Sequence, residues 1–426
     1  MTRPTKEISP PAPYDVVVCG GGMAGCGAAI QAARAGAKVL LIERLEMLGG
    51  LGAAGCVGNF CAAEGGLRGQ GRVFDDIVAG LRAYGAIGEE NGWIIKRNPT
   101  YQRENWTFDF RVLPLVLQEL VLDAGVNLLY ATDVIGVDMD GGRIAAARIH
   151  NRSLTQTISA TTFIDATGEG ILARHAGAET LPDDPNCPGV IKPSNMMFMR
   201  KTSEPVRDDT SNPVCTDGTE PNYSVWPDIE RQVALKMKLF HRTLDTSTGR
   251  GYSDAVVAMR REEPRFAAHY RQHHDASAVF AGAAPMLGLR ESWRIEGETV
   301  LTIDDCRAGR RFEDAVAYGT FTVDANELSE ILPPYQIPYG CLQVKRVANC
   351  LVAGRCFSAD RLALSSARTM ATGCLMGQAA GTAAGMAVRT GTAVRDIDPP
   401  AIRQALLEAA DGDPVMTKHL GGHAWA

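Results

Sequence analysis

Residues 14–43, YDVVVCGGGMAGCGAAIQAARAGAKVLLIE, decide the fold. Residues 14–19 are a short β-branched run without alternation, the pattern of a strand buried on both faces. Residues 24–35 read as a helix ended near Gly36, and 38–43 as a second buried strand, so the chain opens with a strand–helix–strand unit. Gly20, Gly22 and Gly25 stand between strand and helix as G-x-G-x-x-G, and each has a mechanical task. The first permits the tight turn, the second lets backbone approach a pyrophosphate, and the third lets helix and strand pack closely. The helix start then offers free N–H groups and the positive end of its dipole. Glu43 ends the second strand 43 − 20 = 23 positions on, close to the ~20 expected of a ribose-binding carboxylate. Such a carboxylate accepts from both ribose hydroxyls and repels a 2′-phosphate. The ligand is therefore expected to be FAD or NAD, not NADP, held by Gly20, Gly22, Met23, Ala24, Gly25, Glu43 and Arg44.

Composition narrows the class further. The chain has 426 residues, 45% hydrophobic and 22% charged, which suits two interleaved globular domains. Its 45 glycines exceed the usual ~7% and gather around phosphate-loop candidates, not in a low-complexity tract. A net charge of −6 argues against nucleic acid as the main partner, because phosphate backbones need a basic face. Residues 1–14 are polar and Pro-rich without an apolar signal core, so the expectation is a cytoplasmic protein whose 11 cysteines are mostly reduced thiols. No CxxC occurs among them, and neither a metal nor an iron–sulfur cluster is expected. Residues 370–388 are apolar with Gly377, Gly381 and Gly385 at four-residue spacing. They are rich in Ala, Gly and Thr and carry Gln378, so they are expected to form a close-packed helix, held tight by its glycines against the first strand–helix–strand unit, and not a membrane span.

The expected architecture is α/β: a Rossmann-like FAD-binding domain of three layers around a parallel sheet, with a discontinuous α+β substrate domain. The divisions read from the sequence are 1–90 for the first part of the binding domain, 91–110 as an excursion into the substrate domain, and 111–181 for the second part. Residues 182–340 form the substrate domain, and 341–426 the third part of the binding domain and the tail. Residues 48–71 are glycine-rich and expected as ordered loop, 72–84 and 111–124 as helices, and 126–129 as a third strand. Residues 133–149 read as a hairpin turning at Asp140-Gly141-Gly142. Within the substrate domain, 229–244 and 253–274 are expected to be helical.

Three further features resemble the FAD-dependent oxidoreductases that share a fold with glutathione reductase and the fumarate reductase flavoprotein. Gly49-Gly50 follow Glu43, as paired glycines do in such flavoproteins. Phe163-Ile164-Asp165-Ala166-Thr167-Gly168 looks like their "ATG" segment beside the adenosine half. Residues 350–355, then 373–385, look like their C-terminal flavin segment, in which a strand leads to a helix aimed at the isoalloxazine. Residues 288–305, with Arg290-Glu291-Ser292-Trp293-Arg294-Ile295, resemble the bacterial group simply called FAD-dependent oxidoreductase, although Trp293 stands where an arginine is common. The resemblance covers the first ~180 residues and the last ~140 and implies FAD, which is expected to be non-covalent because nothing marks Cys56 or Cys61, in the right general loop, as a linkage site. It adds Gly49, Gly50, Ala166, Thr167, Gly168, Gly354, Gly373 and Cys374 to the cofactor site. A helix N-terminus with small residues there supplies partial positive charge where a reduced flavin carries negative charge.

Flavin carries out the hydride transfer, and the protein supplies binding, orientation and a proton donor or acceptor. Arg290, Arg294 and Arg368 are the candidates to hold or protonate substrate. The bland reading of the first two is an ion pair with Glu291, Glu296 or Asp304. His269, His273 and His274 cluster with Arg271 and Asp275; a solvated helix face is expected there, with a general base as the alternative. The expected function is an FAD-dependent oxidoreductase that moves hydride between flavin and a small polar metabolite, with an electron acceptor that the sequence does not name. A homodimer is compatible with this reading. Two alternatives stay open: a thiol–disulfide oxidoreductase using Cys56 and Cys61, and a flavin-fold binding protein without turnover.

Overall fold

The computed structural model describes residues 13–421 except 65, 94, 99–102, 153, 186, 203–221, 228–231, 239–244 and 327. Its centre is a seven-stranded sheet. The strand Tyr14–Cys19 lies between Val39–Ile42 and Leu154–Asp165, parallel to both, with Val16 opposite Val39 on one side and Thr162 on the other. Asn127–Leu129 continues the parallel sheet beyond Val39–Ile42. Cys350–Val352 pairs in parallel with residues 163–165. Val16–Cys19 and the whole of Val39–Ile42 are buried, as strands covered on both faces must be. On the other flank Thr132–Asp140, Arg143–Asn151 and Leu154–Asp165 form an antiparallel meander. Gly141 (φ 51°) and Gly142 (φ 80°) make its first turn, where both central residues need left-handed backbone.

One face of the sheet is covered by the helices Met23–Arg34 and Met370–Thr390, which pack closely on each other. Glycine inside a helix costs roughly 0.5–1 kcal/mol relative to alanine. The packing explains why it is retained here. A Cβ on Gly377 would stand 2.0 Å from the Ala24 carbonyl oxygen, one on Gly381 2.3 Å from that of Ala28, and one on Gly385 2.4 Å from Ala35 Cβ. No helix among the described residues is long and apolar enough to cross a membrane.

A second hydrophobic core lies apart from the first. It joins Met197, Met199, Met259, Phe266 and Leu287 between a four-stranded antiparallel sheet and the helix Gly249–His273. The sheet order is Asn222–Pro227, Gln232–Lys238, Ser194–Lys201, Ala278–Ala283. This unit is narrower than the 182–340 division: Ile295, Ile303, Val316 and Tyr335 belong to the main core.

Two local expectations are corrected. Residues 229–244 were expected to be helical, but Gln232–Lys238 is a strand paired on both edges, where cross-strand pairing outweighs helix propensity. Residues 48–71 were expected as loop, yet Asn59–Glu64 is a strand opposite Arg103–Thr107, which also pairs with Ile95–Asn98. A register shift between Phe60 and Ala63, with Ala62 at φ 61°, breaks the alternation by which a strand is recognised in sequence.

Candidate active site

At the C-terminal ends of Tyr14–Cys19 and Val39–Ile42 lies a cleft open to solvent, with a cavity volume of about 150 Å³. The glycine turn forms its floor, and the three glycines differ physically. Gly20 (φ 99°) donates its N–H to the Ile42 carbonyl (2.7 Å), and a Cβ there would lie 2.5 Å from the Ala166 oxygen. A Cβ on Gly25 would lie 1.7 Å from the Gly20 oxygen, so helix and strand touch only because it is absent. A Cβ on Gly22 would meet no protein atom within 4 Å. Gly22 is also the N-cap of Met23–Arg34 and brings no side chain to bond the first-turn N–H groups. That end of the helix opens into the cleft through Gly22, Met23 and Ala24.

Glu43 closes one side of the cleft. Its Oε2 accepts from the Gly21 N–H (2.6 Å) and its Oε1 from the Leu45 N–H (2.8 Å). Burial pushes its pKa up, and the two backbone N–H groups oppose that shift. Each carboxylate oxygen has a further lone pair for a ligand hydroxyl. Gly49 (φ 104°) donates to the Gly21 carbonyl (2.8 Å), and a Cβ on Gly50 would sit 3.3 Å from Gly22 Cα, so the paired glycines pass directly over the phosphate turn.

Ala166, Thr167 and Gly168 form the opposite wall. The fully buried Asp165 fixes them: its Oδ1 accepts from the Thr167 N–H (3.0 Å) and Oγ1 (2.7 Å), and its Oδ2 from the Ala173 N–H (2.9 Å). Burial raises the Asp165 pKa against these bonds. Arg355 donates to the carbonyls of Gly168 (3.1 Å) and Leu289 (2.7 Å) and so links this wall to the second unit. The far end is built by Gly354, Thr369, Met370 and Gly373, where Met370–Thr390 begins, and by Arg368. The second unit closes the cleft with Tyr252, Met286, Leu287 and Leu289. The Met286 N–H bonds the Ala54 carbonyl (3.2 Å), and Arg44 reaches its sulfur (3.8 Å).

Of the residues singled out in the sequence, Gly20, Gly22, Met23, Ala24, Glu43, Arg44, Gly49, Gly50, Ala166, Thr167, Gly168, Gly354, Gly373 and Arg368 line this one cleft. Four do not. Gly25 and Cys374 lie behind the wall: a Cβ on Gly27 would stand 2.6 Å from the Cys374 oxygen, so Cys374 faces the helix pairing and not the cleft. Arg294 is 4% exposed, with Nε 3.0 Å from Glu291 and its other nitrogens on the carbonyls of Ala359 and Pro182. The fully buried Glu291 also takes Arg361 Nε on both oxygens (2.9 and 2.7 Å), so Arg294 belongs to a structural ion network and not to the cleft. Arg290 stands behind Arg368, and both bind Asp324.

Sequence reasoning missed Tyr252, Met286 and Leu289 in the cleft, and it placed Arg355 in the flavin segment without giving it a contact there. Tyr252 and Met286 come from segments without a motif, whereas Leu289 stands directly before Arg290 in the 288–305 segment. His273 and His274 are exposed on the last turn of Gly249–His273 and just beyond it, away from the cleft. Cys56 is buried against Met196 and Ala284, Cys61 accepts from Asn59 Nδ2 (3.3 Å), and neither lines the cleft. Among the described residues no group of His, Cys, Asp and Glu is placed to hold a metal ion.

The walls fit FAD on three observations: a floor at Gly22 that no side chain fills, a buried carboxylate with spare acceptors at Glu43, and a helix start among small residues at Gly373. Comparison with known proteins agrees. Residues 15–406 match the family described as FAD dependent oxidoreductase. Digeranylgeranylglycerophospholipid reductase of Picrophilus torridus is 30% identical over 182 residues, 39% of this chain and 43% of that protein. The enzyme of the same name from Thermoplasma acidophilum is 27% identical over 174 residues, again 43% of its length. The matched region thus spans less than half of these reductases. The fold is similar to CabE, an aromatic hydroxylase from angucycline biosynthesis (TM-score 0.51, 13% identity, 94% of this chain and 69% of that one). It is also similar to the OxyS anhydrotetracycline hydroxylase of Streptomyces rimosus (TM-score 0.50, 13% identity, 96% and 70%).

Proposed function

The chain belongs to the FAD-dependent oxidoreductase family, and from that premise we propose that it holds FAD non-covalently in this cleft and moves hydride between the flavin and a small polar metabolite. The observation that carries the reading is convergence. Segments from four separate parts of the chain, at 20–24, 43–52, 166–169 and 353–373, meet in one cleft.

When bound, FAD supplies the hydride chemistry. The remaining tasks fall to the chain itself. The N–H groups behind Gly22 and the dipole of Met23–Arg34 hold the pyrophosphate. Glu43, fixed by Gly21 and Leu45, accepts from the ribose hydroxyls. The start of Met370–Thr390 sets partial positive charge beside the ring. Tyr252, Met286 and Leu289 exclude water from the cleft. Arg368, the one candidate arginine of the three that lines the cleft, holds substrate. The reading also places the enzyme in the cytoplasm, where its cysteines stay reduced.

The purified protein tests this directly. It should carry a yellow flavin band, release FAD on acid denaturation as identified by mass, and bleach and recover on anaerobic photoreduction followed by a metabolite screen. Colourless protein that takes up no added FAD overturns the reading.

A further inference from the structure

We propose that Arg368 and Arg290, clamped on Asp324, form a subsite for one carboxylate of the substrate at the flavin end of the cleft. The proposal rests on the flavin reading above and names the substrate class, an organic acid.

Arg368 Nη2 donates to Asp324 Oδ2 (2.7 Å) and to the Asp324 carbonyl (3.2 Å). Arg290 Nη2 meets Asp324 Oδ1 (2.5 Å) and the same carbonyl (2.5 Å). Among the described residues, every bond that either guanidinium makes runs through Nη2. Nε of each is buried without a partner. A guanidinium carries five N–H donors in a fixed fork, so the protein leaves part of both forks without an acceptor.

The charge is also incomplete. Among the described residues two guanidiniums face one carboxylate, which leaves one positive charge where Arg290 is 4% and the Arg368 side chain 17% exposed. Burial, then repulsion from Arg290, brings the Arg368 pKa down to about 10, and the Cys61 thiol is the other titratable group that acts on it. Uncompensated charge in a desolvated site is costly. A ligand that closes both deficits must bring one negative charge and at least two acceptors. A carboxylate does so, with the planar two-oxygen edge that a guanidinium fork matches. A phosphate dianion would overshoot the charge by one. Because Arg368 directly precedes Thr369, Met370 and Gly373 at the cleft end, the acid's reacting carbon would lie beside the ring.

The test titrates FAD-replete protein with sodium acetate, pyruvate and benzoate, against chloride and inorganic phosphate at matched ionic strength. It reads the flavin difference spectrum and the thermal midpoint. A saturable shift with at least one carboxylate is expected. Arg368→Gln should weaken it roughly 10- to 100-fold, the loss of a charge-assisted pair, and Arg368→Lys should restore part of it. Asp324→Asn leaves two uncompensated positive charges and should tighten carboxylate binding by about tenfold, a direction that a merely structural Asp324 would not produce. Absence of a shift with every carboxylate, phosphate binding as tightly as carboxylate, or weaker binding in Asp324→Asn overturns the proposal. Protein that never takes up FAD fails the flavin reading instead, and the thermal-midpoint arm still reads the subsite.

Discussion

Gly22→Ala separates the demands of the ligand from those of the fold. At φ −70° and ψ −177° the backbone of Gly22 is open to any residue, and the added Cβ would meet no protein atom within 4 Å. Alanine is the poorer N-cap, by about 0.5–1 kcal/mol. It also restricts the unfolded chain, which returns about 0.4–1 kcal/mol. The two nearly cancel, and the Tm of the apoprotein should move by less than about 2 °C. The cleft responds differently. Gly22 lines the floor on which the pyrophosphate is read to lie, with Gly50 passing directly over it, so the methyl group stands in ligand space. Overpacking of that kind costs about 1–3 kcal/mol, which weakens FAD binding roughly 5- to 150-fold. Thermal unfolding of the apoprotein by circular dichroism, with FAD titration by fluorescence quenching, measures the two effects independently. An apoprotein Tm lowered by more than about 5 °C, or an FAD affinity within twofold of the parent, refutes the reasoning. Gly25→Ala is the counter-case, because its Cβ would lie 1.7 Å from the Gly20 oxygen and the fold should fail before the ligand is reached.

Further outcomes follow from the same geometry. Glu291→Ala leaves Arg294 and Arg361 buried without their shared carboxylate and should cost about 3–5 kcal/mol in urea unfolding. Gly377→Ala gains about 1 kcal/mol of helix propensity but sets a Cβ 2.0 Å from the Ala24 oxygen, so a net loss in thermal stability is expected even without FAD. Asp75, raised from 3.8 to about 7 by burial and then by Asp413 and Asp76, keeps a proton in the folded state that the unfolded chain releases. Its contribution to stability is therefore lost as pH rises from about 4 to about 7, and Asp75→Asn should raise Tm at pH 8 and flatten the profile. Cys56→Ser should leave substrate-dependent flavin reduction unchanged in stopped-flow traces; loss of reduction would restore the dithiol alternative.

The part of this fold legible in sequence is the part where one residue type performs one local task. Gly20, Gly22 and Gly25 could be read because a turn, an approach and a packing contact each exclude a Cβ at a fixed offset. The hairpin at Gly141-Gly142 could be read because only glycine takes left-handed backbone twice in succession without cost. Gly377, Gly381 and Gly385 signalled a helix held tight against the first strand–helix–strand unit, and the helix Met23–Arg34 of that unit is what it packs on. Legibility stops where a contact is set by tertiary pairing alone. Gln232–Lys238 is charged enough to read as helix, and only its two neighbouring strands make it a strand. Tyr252 reaches the cleft from the first turn of Gly249–His273 and Met286 from the segment after Ala278–Ala283, and no spacing in the chain records that return.

The arginines show the same limit within the site itself. Arg290, Arg294 and Arg368 are one residue type, all largely desolvated, two of them in a single short motif, and neither burial nor proximity to the motif distinguishes their roles. The partners of each guanidinium do. Arg294 is spent through all three nitrogens on Glu291, Ala359 and Pro182, so it can give a ligand nothing without breaking the ion network that joins residues 182–191 to Arg361. Arg290 and Arg368 spend one nitrogen each, both on Asp324. Positive charge that the fold leaves uncompensated beside an open cleft is available to a ligand, whereas charge already matched by a buried carboxylate belongs to the structure. The partner inventory of a guanidinium, not its address in the sequence, therefore separates the arginine that holds the fold from the pair we propose for a substrate carboxylate.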